Sequence, residues 1–154
     1  MVKKLTLLIF ALLSGYAADA AELRGARVIK VLPHFLDQDG RHSLYPSLYE
    51  RDAYQAFLRA HPAQQSGIRF DVQWKARGAS AGNLTLRLEL RFLGSDEGKP
   101  RVLEKVVKPS RWFSRWSALT LDGEEFKGLG RMTAWRAVLL DEGVVLTELK
   151  SFLW

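Results

Sequence analysis

No cysteine occurs among the 154 residues. That excludes a disulfide brace and a thiolate metal site, and it excludes a lipid-modified cysteine near the N-terminus. Histidine is nearly as scarce, at three residues, His34, His42 and His61. Their spacing matches no zinc motif, although His34 and His42 can approach each other across an intervening turn. No glycine-rich phosphate loop and no Gly-x-Ser-x-Gly elbow are present, and Ser43 beside His42 is adjacency in sequence only. Like charges never form a long block. The chain carries 23 basic and 17 acidic residues, a net of +6, and the two signs are interleaved in most segments. This describes a mixed, solvated surface, and with no recognition motif it argues against a nucleic-acid partner.

Long apolar runs are also missing, with one short exception. Lys3 and Lys4 precede Leu5–Leu13 (LTLLIFALL), and Ala18-Asp19-Ala20 follows. This is the order of a secretory signal: a basic start, an apolar core and a small-residue cleavage site. The apolar core of about ten residues falls short of the ~20 that a membrane span needs. We therefore expect residues 1–20 to be a signal peptide and residues 21–154 to be a single exported domain, periplasmic or extracellular, with no membrane span. A domain of this length can bury a core without staples.

What the chain does have is period-two alternation. Ile68, Phe70, Val72 and Trp74 alternate with Arg69, Asp71, Gln73 and Lys75. Leu84, Leu86, Leu88, Leu90 and Phe92 alternate with Thr85, Arg87, Glu89 and Arg91. Successive side chains of a strand point to opposite faces, so each segment has one face for a core and one for water, which favours antiparallel sheets. Further strands are expected at Arg27–Leu32, Arg101–Val107, Trp116–Leu121, Met132–Leu140 and Val144–Leu153. Pro33 should confine the first to an edge or an end. Asp141-Glu142-Gly143 reads as a hairpin connection. Seven short strands predict a mainly β, antiparallel β-sandwich.

One helix interrupts the strands, at Leu48–Ala60. Ser47 and Glu50 fit a capping box, and Pro62 closes the segment. Arg51, Asp52, Gln55 and Arg59 form a polar stripe. Tyr49, Ala53, Tyr54, Ala56, Phe57 and Leu58 supply a broad apolar face expected to dock on the sandwich. Tyr45 and Tyr49 are expected to pack near the helix start. His61 suits the helix C-terminus.

Trp116-Ser-Ala-Leu-Thr-Leu-Asp-Gly, Trp135-Arg-Ala-Val-Leu-Leu and Ser151-Phe-Leu-Trp154 resemble the final strands of a fibronectin-III-like or immunoglobulin-like sandwich. The chain from residue 21 onwards is also similar to small exported bacterial proteins of uncharacterised function. The resemblance implies a fold and brings no catalytic motif with it.

Asp37-Gln-Asp39-Gly40 opens like a calcium loop, but Gly40 comes two places early and the closing Glu is missing, so a turn is expected. Glu124-Glu125 reads as solvated. The strongest binding candidate is Arg111-Trp112-Phe113-Ser114-Arg115-Trp116, which places aromatics among arginines just after Pro109. Of these, Trp116 and Phe113 also suit a core. Arg111, Trp112, Phe113 and Arg115 are the residues expected to meet a partner. The expected function is a non-enzymatic binding or assembly module for another envelope or extracellular protein, with no cofactor, metal or catalytic residue. Two alternatives stand beside it: a glycan-binding accessory domain using residues 111–116, and a hydrolase or metal protein using the histidines.

Overall fold

A computed structural model of the protein describes residues 25–77, 83–94 and 99–154; the expected signal peptide lies outside them. Seven strands, β1 (Arg27–Leu36), β2 (Gly67–Lys75), β3 (Leu84–Phe92), β4 (Arg101–Val107), β5 (Arg115–Asp122), β6 (Met132–Asp141) and β7 (Val144–Lys150), form two antiparallel sheets. The small sheet has the order β1-β2-β5 and the large sheet the order β4-β3-β6-β7. Helix α1 (Leu48–Ala60) lies between β1 and β2, and a four-residue helical turn, α2 (Gly123–Phe126), follows β5. The protein is mainly β, with a sandwich-like arrangement.

The alternating segments face as their sequence demands. Ile68, Phe70, Val72 and Trp74 of β2 and Leu84, Leu86, Leu88 and Leu90 of β3 are buried in one core, with Leu119 and Leu121 of β5 and Ala137 and Leu139 of β6. The buried Trp74 indole donates to Ser117 Oγ at 3.0 Å, which satisfies its one polar atom. β6 is buried on both faces over Ala137–Leu140.

Several strand ends differ from expectation. β1 runs through Pro33 to Leu36. It is an edge strand, and Pro33 has the same backbone orientation as Phe35, whose N–H and C=O face away from β2 toward α1. The missing proline N–H therefore costs the ladder nothing. β7 ends at Lys150, and Ser151 turns the chain so that Phe152 and Leu153 are exposed. The β6–β7 hairpin closes with two residues, Glu142 (φ 48°) and Gly143 (φ 82°). Paired positive φ values are those of the tight turn whose twist matches that of the strands.

The polar face of β3 is drier than expected. Glu89 is buried, and Arg136 of β6 grips it with bonds of 3.0 and 3.2 Å. Trp154 lies under Arg91 at 4.1 Å and Arg136 at 5.3 Å, so cation–π contacts roof this ion pair.

Helix α1 departs most from its expected docking. It occupies its expected span, with Ser47 at the N-cap position, but no side-chain capping bond forms. Residues 47–50 are exposed, so water serves the first amides. Ser43 instead organises the approach to the helix, with its Oγ donating to Tyr45 O at 2.5 Å. The broad apolar face is not the docked one. Tyr49 is 83 % exposed, and Leu48, Tyr45, Ala53, Ala56 and Phe57 are exposed as well. The inward row is Arg51, Tyr54, Gln55 and Leu58, spaced i, i+3, i+4, i+7. The reason is what the helix must cover. It lies against the free edge of β1, and an edge needs hydrogen bonds more than apolar surface. Gln55 Oε1 accepts from Phe35 N at 2.7 Å, and its Nε2 donates to Phe35 O at 2.9 Å and to His42 O at 2.8 Å. A single glutamine thus acts as one rung of an additional strand.

Candidate functional site

The aromatic-basic run forms the connection from β4 to β5, crossing from the large sheet to the small one. Pro109 and Ser110 precede it, and Phe113 N donates to Ser110 Oγ at 3.4 Å. Ser114 is held by Gln73 Nε2, 3.0 Å from its Oγ, which ties the loop to the centre of the small sheet. Trp112 is 74 % exposed, Phe113 76 % and Trp116 52 %. Trp116 is the second residue of β5 but pairs with Gln73, on the face opposite the core, so the expectation that it is buried is corrected by strand parity. Arg111 sits beside the Trp112 ring at 5.7 Å, and Arg115 is exposed. Three large aromatics and two arginines are therefore presented to solvent at one end of the sandwich. Aromatic and arginine side chains in this state supply most of the energy at interaction hot spots.

The three histidines do not converge. His34 is buried on the outer face of the small sheet, its ring 5.2 Å from that of His42 and its Nε2 3.7 Å from Asp71. His61 caps α1, stacking on Phe57 at 4.3 Å with Nδ1 2.8 Å from Phe57 O. Among the described residues no group of three or more metal-ligating side chains forms a site. Burial lowers the pKa of His34 below its ordinary 6.5, against the pull of Asp71, so its imidazole is neutral at pH 7.

Asp37 shows why its loop is a turn. Its carboxylate is almost fully buried. Oδ1 accepts from Asp39 N at 2.9 Å and Arg41 N at 2.8 Å, and Oδ2 accepts from Arg41 Nε at 3.0 Å and Tyr54 Oη at 2.6 Å. Ser66 Oγ donates to the Asp37 carbonyl. Burial alone would raise the Asp37 pKa, but the bonds from Tyr54 and Arg41 outweigh it and hold the pKa below 3.8. Both oxygens are committed to protein donors, leaving none for a cation. Glu124 and Glu125 are exposed and pair with Lys127 (2.6 Å) and Arg101 (3.4 Å). Ser43 Oγ faces a carbonyl rather than His42.

Sequence reasoning missed a cavity of about 910 Å³ at the opposite end of the sandwich. Its floor is Phe35, Ile68, Phe92, Phe126 and Met132, and its rim carries Arg59, Lys127 and Arg131. These residues come from separate segments with no shared motif. The available signal was weak: the mixture of glycine, arginine and apolar residues in Phe126-Lys-Gly-Leu-Gly-Arg-Met132. Among the described residues no helix is long and apolar enough to cross a membrane. No family model matches this sequence, and no curated protein matches it.

Proposed function

We propose that the protein is an exported, non-enzymatic binding module that engages another envelope or extracellular protein through Arg111, Trp112, Phe113 and Arg115. The observation that carries this reading is the exposure of Trp112 and Phe113 in a loop tied to β2 through Ser114 and braced internally by Ser110. Burying such rings against a partner yields a large apolar gain at little entropic cost, because the loop is already held in place. The strand order supports the likeness to immunoglobulin and fibronectin sandwiches: β4 lies beside β3 in the sheet that also holds β6 and β7, as in sandwiches that add a strand next to strand C. End loops are where such folds carry their binding residues.

The test compares wild type with Trp112→Ala and Arg115→Ala in a thermal melt and in capture of partners from the envelope fraction. Trp112→Ala should leave the melting temperature nearly unchanged and weaken capture by about fivefold or more, since hot-spot truncations cost above ~1 kcal/mol. Unchanged capture by both variants overturns the assignment. Binding to a glycan array that is lost in Trp112→Ala would identify a sugar as the ligand of the same loop.

A further inference from the structure

We propose that the cavity between the sheets binds one single-chain anionic amphiphile, with its acyl chain on the apolar floor and its head at Arg59 and Arg131. Three observations carry this. The volume of about 910 Å³ lies near the top of the range for ligand sites, room for one chain rather than two. The floor is apolar, and the two glutamines that line the cavity turn their Nε2 groups to backbone carbonyls: Gln65 Nε2 donates to Leu58 O at 2.7 Å, and Gln38 Nε2 lies 3.3 Å from Ala63 O. Among the described residues, every charged side chain that lines the cavity is cationic, and of these three cations only Lys127 has a carboxylate partner, Glu124.

The backbone that carries the arginines is firmly placed. Arg59 projects from the last turn of a helix fixed to β1 by Gln55. Arg131 is held because its carbonyl accepts from Leu93 N at 2.8 Å, and because Gly130 (φ +71°) approaches Leu93 so closely that a Cβ would lie 2.5 Å from the Leu93 carbonyl oxygen. A cationic mouth over an apolar floor selects an anionic head on an apolar tail, and it disfavours a cationic head by direct repulsion.

The test titrates purified protein, below micelle formation, with dodecanoate, with a lysophosphatidylglycerol of the same chain length, and with dodecanol and dodecyltrimethylammonium as controls. Calorimetry should give one site for either anion, with dodecanoate against the lysolipid telling free acid from lipid. Each added methylene should tighten binding roughly two- to fourfold until the cavity is filled. Arg59→Glu with Arg131→Glu should weaken the anions by about tenfold or more and leave dodecanol unchanged. Both side chains are exposed, so the fold should persist, and a thermal melt checks this. Trp112→Ala should leave binding intact, which keeps this site separable from the aromatic loop. Absence of saturable binding, equal affinity for the cationic chain, or indifference to the double charge reversal overturns the proposal.

Discussion

Replacing Gln55 by alanine should be among the most damaging single changes outside the apolar core. The side chain makes three hydrogen bonds, one accepted from Phe35 N at 2.7 Å and two donated, to Phe35 O at 2.9 Å and to His42 O at 2.8 Å. Each contributes about 0.5–1.5 kcal/mol, and a buried backbone group left without a partner adds about 1–3 kcal/mol. Water can re-enter at the edge of β1 and serve some of the three groups. The net loss should therefore be about 2–4 kcal/mol. Gln55→Glu separates the geometry from the bulk. A carboxylate still accepts from Phe35 N but sets negative charge against two carbonyl oxygens, so it should cost at least as much as alanine near neutral pH and recover in part when protonated. The assay is urea denaturation of the three proteins, with hydrogen exchange read at the Phe35 amide. Exchange there should accelerate strongly in Gln55→Ala, while amides in the middle of β3 change only with global stability. A loss below ~0.5 kcal/mol with an unchanged Phe35 amide would refute the view that a glutamine holds the helix to the sheet.

Leu88→Ala should cost roughly 2–5 kcal/mol, because the side chain is fully buried at the centre of β3, and denaturant titration reads this directly. Arg87→Ala, one residue away with only its exposed pairing to Glu104, should cost about 0.5 kcal/mol or less; equal losses would contradict the facing of the strand. Acid should weaken the fold in two windows. Below pH 6.5 the unfolded chain protonates its histidine while buried His34, among Asp71, His42, Arg51 and Arg69, resists, so stability falls as pH drops toward the lowered pKa of His34. Below pH 3.8 the contribution of Asp37, fully present above that value, is lost as pH falls through its lowered pKa. His34→Gln should flatten the first window and Asp37→Asn the second, as read by stability measured from pH 8 to pH 3.

The β2 and β3 strands were legible because alternation states which face is wet, and both segments lie where that pattern put them. Helix α1 was legible in extent and misread in orientation. A hydropathy wheel ranks side chains by their preference for an apolar neighbour, and by that rule Tyr49, Ala53, Ala56 and Phe57 belong inside. That rule presumes that the surface to be covered is apolar. Here the surface is a strand edge, whose peptide groups demand donors and acceptors, so the side chain with one of each at the right reach goes in, with Tyr54 beside it bonded to Asp37, while Tyr49 and Phe57 stay out. The partners of Gln55 are backbone atoms 13 and 20 positions away, which no local pattern encodes. The same logic separates the two candidate sites. The aromatic loop is a contiguous run of six residues, and its chemistry could be read from composition, whereas the exposure of Trp116 follows from strand parity and that of Trp112 and Phe113 only from the folded loop. The cavity is lined from both sheets, by Phe35 and Ile68 of the small one and Phe92 and Met132 of the large one, and its cations come from a helix and a glycine-bearing loop that only the fold brings together. A binding surface built from one segment leaves a trace in a sequence. One built from the gap between sheets leaves only a faint one until the register of every strand is known.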